Sequence, residues 1–104
     1  MKRAKVFVDG KLAGHLVEWE KNRRYEVAYL NDYNSQPISL TMPLSSRVYY
    51  FDAFPAFFDG VLPEGFMLDA LLRKTKIDKN DRFEQLMRVG GELVGNITVE
   101  RDEE

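Results

Sequence analysis

The stretch KVFVDGKLAGHLVEWE, residues 5–20, constrains the fold more than any other part of this chain. Val6 and Val8 alternate with Lys5, Phe7 and Asp9, the period-two mark of a half-buried strand. Asp9-Gly10 is the dipeptide that accepts positive φ at both central positions of a type I′ hairpin turn. Leu12 to Glu20 then runs as a second strand, with His15, Val17 and Trp19 on one face and Leu16, Glu18 and Glu20 on the other.

Lys21, Asn22 and Arg23 make a polar turn. YEVAYL follows as a third strand that places Tyr25, Val27 and Tyr29 on one side. NDYNSQP (31–37), rich in Asn, Ser and Pro, is the clearest loop. ISLTMPL alternates Ile38, Leu40 and Met42 and stops at Pro43, so it is predicted as a short edge strand, where a missing N–H does no harm. SSRVYYFDAFP is expected to be irregular. The first forty-odd residues are thus an antiparallel meander.

The period changes near Asp52. That residue is predicted to cap a short helix with Pro55 in its first turn and Phe54, Phe57 and Phe58 at i, i+3 and i+4. Gly60 suits its left-handed end. Pro63 fits the first turn of a second helix, and Glu64 favours that helix's N-terminal dipole. Thr75 to Asn80 is a connector. Asp81 and Glu84 have capping-box spacing for a third helix, which carries Phe83, Leu86 and Met87 and stops at Gly90-Gly91. ELVGNITVE alternates again, and RDEE (101–104) is expected as a solvated acidic tail. The expected fold is a single α+β domain spanning 1–104. A small antiparallel β meander or partial barrel packs in it with about three short helices.

A chain of 104 residues buries roughly two-thirds of the surface its unfolded form exposes, enough for one core without a staple. It has no cysteine, which removes disulfides, thiol catalysis and cysteine-based zinc sites and fits a reducing compartment. Its one histidine, His15, excludes His-rich metal sites. Fifteen basic and seventeen acidic residues give a net charge of −2, whereas a domain built to neutralise many phosphates is clearly basic. Direct nucleic-acid binding is therefore not expected. No apolar run has signal-peptide or membrane-span length, so a soluble cytoplasmic protein is expected.

The sequence contains neither a phosphate-binding loop, nor a dinucleotide fingerprint, nor the catalytic signatures of a protein kinase. GGELVG (90–95) spaces its glycines as a helix stop before a strand. His15 shares a strand face with Val17 and Trp19 and has no nucleophile motif beside it. Asn96-Ile97-Thr98 matches a glycosylation acceptor without a secretion signal to give it meaning. Asp59 and Glu64 can be imagined as paired carboxylates, yet each has an ordinary role at a helix end. The expectation is no catalysis, no cofactor and no metal.

On the second helix, Met67, Leu68, Leu71 and Leu72 fall within an arc of roughly 140° at about 100° per residue. That arc is expected to face the core. Phe66 lies nearly opposite, in the sector of Asp69 and Arg73, directly after Gly65. Two readings stand for it: packing on the sheet, or an exposed anchor of the kind that dominates protein–protein interfaces. Phe54, Phe57 and Phe58 are expected in the core.

Several of these blocks together carry a family likeness. VFVDGKLAGHL, ISLTMPL, FFDGVLPEG, the Asp81-x-Phe83-x-x-Leu86 run and GGELVGNITV occur in an order and spacing that resemble the N-terminal subdomain of HipA-type serine/threonine kinases, the "couple HipA" module. The likeness runs from about Lys5 to Glu100. The ATP site and catalytic loop of a HipA kinase are missing, so the chain is similar to the free-standing HipS-type modules of HipBST toxin–antitoxin systems. The resemblance implies an antitoxin subunit that binds and inhibits a shortened HipA-like kinase toxin of the HipT type. A HipB-type DNA-binding protein would complete the complex. It also implies that Glu64, Gly65 and Phe66, with Asp69 and Arg73 beside them, form the face presented to the kinase. The alternative is a structural subunit that completes the kinase and aids its assembly with the HipB-type partner.

Overall fold

Asp9 and Gly10 turn the chain with φ of 51° and 79°, the left-handed pair that a type I′ hairpin requires. The structure is a computed structural model that describes residues 1–93 and 95–102. The turn joins β1 (Lys2–Val8) to β2 (Lys11–Glu20). Asn22, at φ 63°, then reverses the chain into β3 (Arg24–Tyr29). β4 (Val48–Phe51) and β5 (Ile97–Arg101) complete a five-stranded sheet in the order β4-β3-β2-β1-β5, antiparallel throughout. Three helices follow β4: α1 (Ala56–Val61), α2 (Gly65–Thr75) and α3 (Arg82–Val89). The α+β class read from the sequence is what the chain adopts.

The core lies on one face of the sheet. Ala4, Val6 and Val8 of β1, Leu16 of β2, Val27 and Tyr29 of β3 and Ile97 and Val99 of β5 meet Phe58 of α1 and Phe83 and Leu86 of α3. At about 25 cal/mol per Å² of apolar surface removed from water, this burial is the main drive to the fold. Leu16 and Glu18 share that face, and the face of His15 and Val17 is the outer one. The register slips between Glu18 and Glu20, and this bulge leaves Trp19 exposed with its Nε1 donating to Glu26 Oε1 at 3.1 Å.

ISLTMPL forms no strand, contrary to expectation. Ile38 and Met42 are buried while Leu40 is 94% exposed, so the segment is pinned at two points rather than laid along an edge. The pin is the Tyr29 hydroxyl, which accepts from the Ile38 N–H at 2.8 Å and donates to the Met42 carbonyl at 2.5 Å. A side chain thereby satisfies backbone groups that a sheet ladder would otherwise take. The edge strand is β4, drawn from the stretch expected to be irregular; it pairs Tyr49 with Val27 and Phe51 with Tyr25.

The first helix also begins and ends differently. Its N-cap is Pro55 rather than Asp52, and Gly60 lies inside it with no positive φ. Leu62, extended, ends it. α3 matches expectation at its start: the Asp81 side chain accepts from the Glu84 N–H at 3.2 Å. The reciprocal half of the box is absent because the Glu84 carboxylate is engaged elsewhere, by Lys2 Nζ at 2.7 Å and by Arg101. α3 then ends against β5, where Val99 N–H donates to the Gly90 carbonyl at 2.9 Å. A Cβ at Gly90 would lie 2.1 Å from the Val99 oxygen, so this approach admits no larger residue.

The solvated acidic tail is corrected as well. Arg101 belongs to β5, and Asp102 is nearly buried, with Oδ2 2.7 Å from Arg3 Nε and 3.5 Å from His15 Nε2. Arg3 of β1 draws the carboxylate onto the outer face, beside His15 of β2. Residues 103 and 104 lie outside the described residues.

Candidate partner-binding site

α2 is the part of this molecule that the core does not claim. None of its eleven residues is buried. The approach to it is set by the backbone: Pro63 precedes the N-cap, Glu64 caps in extended conformation without a side-chain bond, and Gly65 follows at φ +57°. Nothing lies near the place where a Gly65 Cβ would sit. The sign of φ, which costs a non-glycine residue about 1–2 kcal/mol, is therefore what calls for glycine there.

Phe66 comes next and is 92% exposed. Of the two readings, packing on the sheet is ruled out. On an α-helix Phe66, Asp69 and Arg73 fall within about 60° of one another, and all three are exposed, as are Glu64 and Gly65 at the helix start. Arg73 Nε reaches the Asp69 carbonyl of its own helix at 3.4 Å. The five residues singled out in the sequence thus share one open surface around the start and outer side of α2.

The other phenylalanines behave as expected. Phe58 is fully buried, and Phe54 and Phe57 pack against the core. Phe54 meets the Tyr25 ring edge-on at 5.5 Å, and Phe57 meets Phe58 at 5.1 Å. A chain that buries Phe58, packs Phe54 and Phe57 against the core and leaves Phe66 bare separates a structural set from an outward one.

The apolar arc of α2 does not face the core in the way its periodicity implied. Met67 is 73% exposed, and Leu68, Leu71 and Leu72 are only half-buried. Met67, Ala70, Leu71 and Lys74 instead form one wall of a groove of about 500 Å³. The end of α1 and the residues after it (Gly60 to Pro63), Val89 at the end of α3, and Glu92 and Leu93 beyond it line the rest. Periodicity identified the apolar arc but not whether anything fills the space before it.

The remaining candidates sit apart from this surface. Asp59 is exposed and lies 3.5 Å from Arg82, and Glu64 is exposed at its cap. Neither carboxylate lines any of the five best-formed cavities among the described residues. His15 lies across the sheet beside Asp102. No group of three or more metal-ligating side chains occurs among the described residues. The charge cluster at Glu84 is structural: burial pushes the carboxyl up, but hydrogen bonds from Lys2 and Arg101 outweigh it and hold the group below its ordinary range.

Compared with known proteins, residues 4–100 match the HipA N-terminal domain family. The chain belongs to that family. The fold agrees: a solved structure of the N-terminal domain of HipA toxin superposes with a TM-score of 0.79 at 26% identity. That match covers all of this chain and 95% of that one. An uncharacterized protein of Haemophilus influenzae is 26% identical over 104 residues, which cover all of this chain and 96% of the relative. The exposed α2 surface is therefore carried by a chain with the HipA N-terminal domain fold.

Proposed function

We propose that this HipA N-terminal domain acts as a HipS-type antitoxin subunit. It binds a HipA-like serine/threonine kinase toxin of the HipT type through Glu64, Gly65, Phe66, Asp69 and Arg73 and inhibits it by contact. The observation that carries this reading is Phe66. A rigid aromatic is held almost fully in water by a glycine-set turn, on a helix that gives none of its residues to the core. Aromatic side chains of this kind dominate binding when a partner offers a pocket.

Inhibition of this kind needs no chemistry from the chain. Phe66 inserted into the cleft of the kinase, with Asp69 and Arg73 fixing its orientation, favours whichever kinase arrangement accepts it. The strength of inhibition is the difference in affinity between that arrangement and the active one. The net charge of −2 leaves DNA contact to a HipB-type partner in the same complex. No described helix is long and apolar enough to cross a membrane, and the cytoplasm is the proposed site of action.

The likeness to a domain of the HipA toxin itself favours a second reading, an assembly subunit that completes the kinase. Calorimetric titration against the cognate kinase tests the contact common to both readings. Phe66→Ala is expected to weaken binding by about 2 kcal/mol or more, roughly thirtyfold. Equal affinity for wild type and the folded variant would remove Phe66 from the interface. The two readings part on kinase activity, which falls with an inhibitor and holds or rises with an assembly subunit.

A further inference from the structure

We infer that the groove beside α2 is a second contact for the same kinase, taking a short amphipathic segment that places apolar side chains against Met67 and Leu71 and an acidic group beside Lys74. This rests on the reading of Phe66 as the primary anchor. The first support is continuity. Around the helix Phe66, Ala70, Lys74 and Met67 succeed one another at intervals of about 20° to 40°, so the Phe66 surface runs into the groove wall across Ala70 without a break.

The second support is energetic. An isolated helix of this length is marginal in water and depends on packing of its apolar face. α2 leaves Met67 largely exposed and Leu71 half-buried, while Leu62 just after α1, Val89 at the end of α3 and Leu93 beyond it line the same groove. The groove volume of about 500 Å³ lies in the range of binding clefts. An occupant there removes apolar surface on both walls from water and fastens the helix that presents Phe66.

The third support is charge, which also selects the occupant. Lys74 and Glu92 line this apolar groove, and neither takes part in an ion pair among the described residues. A purely apolar occupant would leave both charges half-desolvated. One that carries an acid near Lys74 and a base near Glu92 satisfies them at the rim of the apolar contact. A second copy of this chain paired through α2 would cover the groove but compete with the kinase for the helix that carries Phe66.

Ala70→Glu tests the groove without touching the core: the residue is exposed, glutamate is a good helix former, and the new side chain can pair with Lys74 one turn on. Affinity for the purified kinase is measured for wild type, Ala70→Glu and Phe66→Ala, with circular dichroism confirming each fold. The methyl resonance of Met67 is followed during the titration and assigned by Met67→Leu. The expected result is a loss of about tenfold or more for folded Ala70→Glu, with the Met67 methyl shifted by kinase in the wild type. Unchanged affinity for Ala70→Glu overturns the groove contact and leaves the Phe66 reading intact. So does a Met67 resonance that the kinase leaves in place, since the loss would then come from the surroundings of Phe66. A wild type that does not bind the kinase overturns both.

Discussion

The Tyr25 hydroxyl donates to Glu18 Oε2 at 3.0 Å inside the sheet, while accepting from the Asn22 N–H at 2.8 Å. One phenol thus ties β3 to β2 and holds the turn between them. Burial pushes its pKa up to about 12. The group is harder to deprotonate in the folded chain than in the unfolded one. Its contribution to stability is therefore whole below about pH 10 and lost as the pH rises through about 12. An ultraviolet titration is expected to show late-titrating tyrosines, since burial raises Tyr29 and Tyr33 as well, and to lose one of them in Tyr25→Phe. That variant leaves the nearly buried Glu18 without its donor and is expected to lose about 1–3 kcal/mol in urea unfolding.

Tyr29 does for the 37–46 loop what Tyr25 does for the turn. Tyr29→Phe removes the partner of the Ile38 N–H and of the Met42 carbonyl, both buried. A loss of about 2 kcal/mol is expected. Hydrogen exchange should quicken at Ile38 before the strands are affected, and uniform exchange across the sheet would show that the loop is held by apolar packing instead.

Glu84 joins α3 to both β1 and β5. Its pKa is depressed, so its contribution is present above the ordinary carboxylate range and is lost as the pH falls through the lowered value. Glu84→Gln is expected to lower stability near about pH 7 and to flatten its decline on acidification below about pH 4. Denaturant midpoints across that range check both effects. Parallel acid limbs for wild type and variant would assign the decline to other carboxylates.

Gly65→Ala should cost about 1–2 kcal/mol in the turn that starts α2. Because α2 lends no buried residue to the core, the sheet and α3 should unfold at nearly the wild-type midpoint. Kinase binding should weaken, since the turn aims Phe66. A large fall in the global midpoint with unchanged binding would reverse that division.

β1, β2, β3, β5 and α3 were legible in the sequence because local signals and tertiary burial agree there, whereas β4 was not. Asp9-Gly10 fixes the hairpin, alternation marks β1, β3 and β5, and Asp81 caps α3. Where they part, the structure departs from the reading. Ile38, Leu40 and Met42 alternate like a strand, but Tyr29, distant in sequence, takes the backbone groups that pairing would need. Arg101 and Asp102 look like a polar tail until Glu84 and Arg3 are brought beside them. The Phe66 sector was legible only as two readings, because a phenylalanine beside Asp69 and Arg73 suits packing on the sheet and exposure alike; its 92% exposure decides between them. The groove was not legible, because an apolar arc has the same periodicity whether the space before it is filled or empty.

The most direct test of the antitoxin reading is the phosphorylation activity of the cognate HipA-like kinase, followed while this protein is titrated in. Wild type is expected to silence the kinase at stoichiometric concentration, and folded Phe66→Ala to need roughly thirtyfold more. Activity that is unchanged or raised by saturating wild-type protein would contradict the inhibitory role and leave an assembly subunit in its place.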